Sequence, residues 1–318
     1  MKFAILGHLL NERHLEIIPK TWIKNNMIVS PEFDLNETKG HILGIMMNAK
    51  EMMDSSKDIA RQKILEAALY AQDELSIDIM QLGALTTSVT KGGKWLVQQN
   101  EYKGFVSHGD SYTAAVTCQA VEKALESLDK KANDQIISIV GAYGIIGEAV
   151  SKILVPKFKH SILVGRRVEK LQELEEKIQG SYETTTELET QDADVIVTAT
   201  SHPTALLESK HLKEDAIIVD VSQPPNLQPD VCTQRQDVIR IDGGYVNHPK
   251  KYSFLIPGMP KGKCFSCMAE VIMQTMENER ENHVGSIDIE YLHNTENLGR
   301  KYGFILNDFT NYGKKIDF

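Results

Sequence analysis

One stretch constrains this chain more than any other: Gly141-Ala142-Tyr143-Gly144-Ile145-Ile146-Gly147 follows the apolar run Ile136–Val140 directly and opens the helical pattern Gly144–Leu154. A strand, a glycine turn and a helix in that order form the first half of a βαβ unit. The first glycine permits the tight turn. The second lets backbone approach a pyrophosphate, which sits on N–H groups at the helix start, where the helix dipole favours an anion. The third permits close packing of helix on strand. The spacing is GxxGxxG, and without a ligand the same residues would make only a tight turn.

The next strand, Ser161–Val164, leads into Gly165-Arg166-Arg167. A unit that binds NAD usually carries an acid there, to accept hydrogen bonds from the ribose 2′-hydroxyl. Neutral glycine with two guanidinium groups suits a 2′-phosphate instead, so the cofactor expected is NADPH. Thr198-Ala199-Thr200-Ser201 ends the strand Val195–Thr198, and Ala199 and Thr200 should lie at the cofactor cleft. With a helix at Val168–Ile178 and strands at Ala216–Val221 and Val238–Ile241, the pattern predicts a doubly wound Rossmann-type sheet.

At 318 residues the chain has length for two cores. Its first part also alternates strands and helices: strands at Lys2–Leu6, His41–Met47, Ile77–Gly83 and Tyr102–Val106, helices at Ile59–Gln72 and Gly109–Leu128, and helix-capping choices at Thr86-Thr87-Ser88. The polar stretch Lys130–Asp134 reads as a linker. The expected fold class is α/β: an N-terminal α/β substrate domain (1–130), a Rossmann NADP-binding domain (131–250) and a C-terminal helical segment (251–318). A net charge of −9 with no dense basic run argues against nucleic-acid binding. No apolar run reaches the length of a membrane span. The N-terminus lacks signal-peptide features, and four cysteines make a disulfide framework unlikely for this size, so a reducing cytoplasm is expected.

Cys264-Phe265-Ser266-Cys267 precedes a helix marked by Phe265, Met268, Ile272 and Met276. A zinc site would need further clustered ligands, and Cys118 and Cys232 form no second pair. Two buried structural cysteines remain one reading. The other is a nucleophile at a helix start, where the dipole would lower the thiol pKa. Ten histidines are scattered without a metal motif, and His8 and His108 sit beside glycines in expected loops that could face a cleft.

Taken in order, Gly7-His8-Leu9, Leu82-Gly83 before Thr86-Thr87-Ser88, Gly109 to Thr113 leading into Ala114 and Cys118, the glycine loop, Gly243-Gly244 and Phe265-Ser266-Cys267-Met268-Ala269-Glu270 resemble the long-chain acyl-[acyl-carrier-protein] reductases of cyanobacteria. These segments span almost the whole chain. Related families with a similar two-domain plan are the shikimate dehydrogenases and glutamyl-tRNA reductases. The resemblance implies NADPH-dependent reduction of a fatty acyl thioester to an aldehyde, with Cys267 acylated. It also implies an acyl carrier protein or coenzyme A as carrier, and an enzyme that accepts the aldehyde as a further partner. Tyr112 stands where the family carries His, and Cys264 where an apolar residue is expected. His8, His108 and Tyr112 are the proton-donor candidates. A shikimate-type alcohol dehydrogenase using Lys50 and Asp110, and a non-catalytic NADPH-binding redox sensor, are the competing readings.

Overall fold

The computed structural model describes residues 1–9, 16, 18–35, 37–54, 56–252 and 259–318. Two compact units share the chain: Met1–Tyr112 with His248–Phe304, and Thr113–Asn247 with Ile305–Phe318. This differs from the boundary expected at Lys130–Asp134. Residues Asp110–Ser127 form one continuous helix, so the division falls within it, and the polar stretch is only a turn.

The first unit begins with β1 (Lys2–Leu9), β2 (Ile23–Lys24), β3 (Met27–Val29), β4 (Phe33–Asp34), β5 (Lys39–Asn48), α1 (Ala49–Asp54), α2 (Lys57–Leu75), β6 (Ile79–Leu82), α3 (Leu85–Val89), α4 (Lys94–Val97) and β7 (Phe105–Ser107), and the helix α5 (Asp110–Ser127) follows. Its sheet runs β2-β3-β5-β1-β6-β7, with β4 also on β5. Strands β5, β1, β6 and β7 are parallel, and the β2–β4 pairings are antiparallel. The chain order reverses at β1, which lies between β5 and β6. Side chains at the carboxyl ends of these strands therefore border a topological switch point. His8 falls there, inside β1 rather than in a loop, because the strand runs on to Leu9. Helix α2 buries Ala60, Ile64, Ala67, Ala68 and Ala71; Ile59, placed on that face by its spacing, is exposed. Thr86, Thr87 and Ser88 lie within α3 rather than before a helix, and the Thr86 and Thr87 hydroxyls donate back to Gly83 and Leu82 carbonyls.

The second unit holds β8 (Ile136–Val140), α6 (Ile145–Leu154), β9 (His160–Val164), α7 (Val168–Glu175), β10 (Tyr182–Thr185), β11 (Val195–Thr198), β12 (Ile217–Asp220), α8 (Pro229–Gln234), β13 (Ile239–Asp242) and β14 (Tyr245–Asn247). Its parallel sheet runs β10-β9-β8-β11-β12-β13. That is the strand order of the Rossmann fold, with the reversal between β8 and β11. Strand β10 has no counterpart in the sequence reading, because Tyr-Glu-Thr-Thr at a sheet edge lacks an apolar run.

The chain then adds β15 (Lys263–Phe265), α9 (Ser266–Met276) and α10 (Ile289–Tyr302) to the first unit, and the antiparallel hairpin β16 (Phe309–Asn311) and β17 (Lys314–Ile316) to the second. Helix α9 packs against β1, β6 and α10. It is buried almost all round: Ala269–Thr275 are all buried, while Phe265, Met268 and Met276 are only partly so. Among the described residues no helix is long and apolar enough to cross a membrane.

Candidate functional site

In the second unit the glycines are dictated by close approach. Gly141 has φ +89°, and a Cβ there would lie 2.5 Å from the Ala199 carbonyl oxygen. A Cβ on Gly147 would lie 2.1 Å from the Gly141 carbonyl oxygen. Ala142 is fully buried. Gly144 is the N-cap of α6 and supplies no side-chain cap, so the amides of its first turn, from Ile145 on, face outward without a side-chain acceptor. An uncapped helix start over a glycine turn at the β8/β11 reversal is a cradle for a pyrophosphate.

Tyr143 rises from that loop onto the end of β9. A Cβ on Gly165 would meet its ring at 2.4 Å, so glycine is required there by packing. The Arg167 guanidinium lies over the same ring, 5.3 Å from its centroid, which is a cation–π distance. Arg166 and Arg167 are both exposed, and neither forms an ion pair among the described residues. Two exposed guanidinium groups, one of them over an aromatic ring, thus stand where an NAD-binding unit carries an acid.

The ends of β11 and β12 add a polar cluster that the sequence reading missed apart from Thr200. Thr200 N–H donates to Ser222 Oγ at 3.0 Å, and the Thr200 and Ser222 hydroxyls donate to Asn226 Oδ1 at 2.7 and 3.0 Å. Asn226 is fully buried, yet its Nδ2 has no partner among the described residues. Such an orphaned donor costs stability unless a ligand accepts from it. Cradle, guanidinium pair and orphaned amide all fit an NADP-type dinucleotide.

In the first unit the chemistry gathers around Cys267, near the start of α9. Gly109, at φ +70°, lies against it: a Cβ on Gly109 would sit 2.6 Å from Cys267 Cβ and 2.7 Å from its carbonyl oxygen. Glycine therefore lets the β7–α5 turn close onto the cysteine. Asp110 opens α5, and Glu270 stands one turn beyond Cys267 on α9. Glu270 accepts from the Ser107 hydroxyl at 3.2 Å and from the Tyr112 backbone N–H at 2.7 Å; Gly109 N–H in turn donates to Ser107 Oγ at 3.1 Å. None of these links was legible in the sequence. The only signal was a Glu at i+3 from the cysteine.

Burial dominates the electrostatics. It pushes the Cys267 thiol up to about 12, with the nearby Asp110 and Glu270 charges adding to it and the Met268 and Cys267 amides opposing. The helix start does not depress this thiol pKa as the sequence suggested, because a half-turn of amides is outweighed by desolvation and two carboxyls. Burial also pushes Glu270 up to about 7 and Asp110 well above the usual carboxyl range. His108 is held down to about 3, by burial and then by His283. Cys264 is fully buried on β15, and burial raises its thiol strongly.

The proton-donor candidates have distinct surroundings. His108 Nδ1 accepts from Asp110 N–H at 2.9 Å, so its proton sits on Nε2. His8 Nδ1 donates to the Leu9 carbonyl at 2.8 Å. The Tyr112 hydroxyl donates to the Phe304 carbonyl, and burial raises its pKa. Lys50 is exposed on α1, whereas the Asp110 side chain is only 15% exposed.

A model of the shikimate/quinate 5-dehydrogenase family matches residues 122–243, which include the glycine loop and β8–β13. The chain is 28% identical over 237 residues to the long-chain acyl-[acyl-carrier-protein] reductase of Synechococcus elongatus, covering 70% of this chain and 68% of that one. It is 24% identical over 290 residues to the aminotransferase PigE of Serratia, covering 88% of this chain but only 34% of that much longer protein. Among solved structures, L-tryptophan dehydrogenase of Nostoc punctiforme superposes with a TM-score of 0.44 at 13% identity, over 95% of this chain and 80% of that one. The family match and the geometry of the loop together make the second unit a Rossmann-type NADP(H)-binding domain of the dehydrogenase and reductase group.

Proposed function

We propose that this chain is an NADPH-dependent reductase that takes a long-chain fatty acyl group from a thioester onto Cys267 and releases it as an aldehyde. One observation carries the reading: Cys267 lies near a helix start, pressed against Gly109 and flanked by Asp110 and Glu270. Similarity to an acyl-carrier-protein reductase over most of the chain supports it.

Cys267 Sγ attacks the thioester carbonyl and the carrier thiol departs. A thioester to cysteine keeps the carbonyl electrophilic, as a serine ester would not. The second unit binds NADPH on Gly141–Gly147, with Arg166 and Arg167 on the 2′-phosphate and Ala199 and Thr200 beside the loop. Bound NADPH supplies a hydride, and release of the aldehyde returns Cys267 to its thiol. His8, His108 and Tyr112 remain the histidine and tyrosine candidates for proton donation. Lys250 and Lys261 are exposed and Lys251 pairs with Glu37, so an acidic carrier protein could dock there; Lys263 is buried and does not contribute to that surface. An enzyme that accepts the aldehyde would be a second partner.

The deciding measurement is intact mass after exposure to a long-chain acyl thioester without NADPH, on carrier protein and on coenzyme A. The acyl adduct should form on the unmodified chain and on Cys264→Ser, and not on Cys267→Ser. An adduct that follows Cys264 reverses the assignment, and its absence from every form refutes the thioester reading.

A further inference from the structure

A nucleophilic thiol that resists ionisation needs a group to take its proton. Two carboxyl groups stand beside Cys267. Glu270 follows it at i+3 on α9, which puts both side chains on one helix face. Asp110 is joined directly to Gly109, which lies so close to Cys267 that a Cβ there would collide with it. Glu270 is 1% exposed and is fixed by the Ser107 hydroxyl and the Tyr112 N–H.

We propose that Asp110 and Glu270 form a proton-sharing carboxyl pair that accepts the proton of Cys267 Sγ as the thiol attacks, and hands it to the departing thiolate. This rests on Cys267 being the nucleophile. The balance closes without a redox step. A bond forms between Sγ and the carbonyl carbon, and the bond from that carbon to the carrier sulfur breaks. The electron pair leaves with the carrier sulfur, and the thiol proton reaches it through the carboxyl pair.

The surroundings favour the carboxyls over the histidine. From the end of β7 comes Ser107 and from the turn after it His108, which is held down to about 3, so it is a weaker base than either acid. From α5 come Asp110 and the Tyr112 amide; from α9, Cys267 and Glu270. The segment after α9 contributes Glu279 and His283, bonded to each other at 2.9 Å, and α10 contributes Tyr291, stacked on His283. His283 lowers Glu270 somewhat, yet burial dominates and leaves it near 7, suited to exchange protons at neutral pH. Burial first and then the Glu270 charge raise Asp110, so a proton held by either carboxyl eases the burial of two like charges near one another.

The test follows acyl transfer to the full chain by intact mass, without NADPH, from about pH 6 to about pH 9. The unmodified chain should acylate faster as the pair deprotonates and then level off. Glu270→Gln should slow acylation about a hundredfold near neutrality and move its rise to alkaline pH, tracking the thiol itself. Asp110→Asn should shift it the same way. Glutamine keeps its one carbonyl oxygen for the Tyr112 N–H and can donate from its amide to Ser107 Oγ, so a purely structural role would leave the pH profile where it is. Unchanged profiles in both variants overturn the proposal. Alkylation of Cys267 by iodoacetamide gives a readout independent of thioesters. Loss of a proton acceptor slows alkylation, whereas loss of a like charge alone speeds it, so faster alkylation in both variants also overturns the pair. If no thioester acylates the unmodified chain but both variants alkylate more slowly, the thioester reading fails and the pair stands.

Discussion

At the scale of single residues, Arg166 and Arg167 carry the most direct prediction. Both are exposed and without an ion pair among the described residues, and Arg167 lies over the Tyr143 ring. A charged contact to a 2′-phosphate is worth roughly 1.5–3 kcal/mol, or about tenfold to a hundredfold in affinity. Arg166→Ala with Arg167→Ala should raise the Michaelis constant for NADPH by that factor and leave NADH nearly unchanged. Equal use of both cofactors by the unmodified chain would count against the assignment. Glu270 gives a second test, on stability. Its carboxyl is raised in the folded chain from the ordinary 4.5 to about 7, so between those values the folded state holds a proton that the unfolded state has lost. Stability therefore falls as pH rises through that window, by a few kcal/mol at most. In Glu270→Gln that slope should flatten, so the variant gains on the unmodified chain from about pH 5 to about pH 8. Urea unfolding at a series of pH values measures it, and parallel curves for the two forms would show that Glu270 does not titrate there.

Elements hold these residues in place. Helix α10 starts at Asp288, whose carboxylate accepts from the Glu290 and Tyr291 amides at 2.7 and 3.1 Å. Tyr291 stacks on His283 with ring centroids 3.6 Å apart, and the segment at His283 pairs with β7 through His283 N–H to Val106 and His108 N–H to His283. Asp288→Ala should cost about 1 kcal/mol, and Asp288→Asn much less, since asparagine still caps. The midpoint of urea unfolding distinguishes them. The elements also show where periodicity informs and where it fails. Strands β8, β9, β11, β12 and β13 were legible within two residues, because strands covered on both faces are continuous apolar runs. Strand β10 is polar and lies at an edge, so it was not. The spacing of Phe265, Met268, Ile272 and Met276 marked α9 without finding its core side: Ile272 is buried, the other three only partly so. A helix buried all round hides Glu270 and Gln274 as well as its apolar residues, and spacing alone cannot select one side.

Across the whole molecule, each unit closes with a segment distant in sequence. In the second unit Arg240 is fully buried and donates to Asp220 at 3.1 Å and Asp242 at 2.7 Å, under the Tyr312 ring at 4.0 Å. The hairpin adds Tyr312 and Gly313 amides to Asp242. Arg240→Met would leave two buried carboxylates without their counter-charge, at a cost of about 3–5 kcal/mol. Both tryptophans, Trp22 and Trp95, lie in the first unit, so their fluorescence does not report the second. Circular dichroism should show the variant melting early, with NADPH protection weakened, before the tryptophan signal moves. A single transition unchanged in midpoint would show that the cluster contributes little. By itself the sequence determined the α/β class, the βαβ unit with its glycine loop, the guanidinium pair in place of an acid, and a cysteine pair at a helix start, from which only the family resemblance singled out Cys267. Those features are local: period-2 and period-3.6 patterns, turn glycines and charges a few residues apart. Only the tertiary structure decided that Gly109 abuts Cys267, that Asp110 and Glu270 flank it, that burial raises rather than lowers its pKa, and that Asn226 and the terminal hairpin complete the second unit. These depend on contacts across as many as 163 residues, as between Ser107 and Glu270, and on exclusion of water, neither of which has a sequence period.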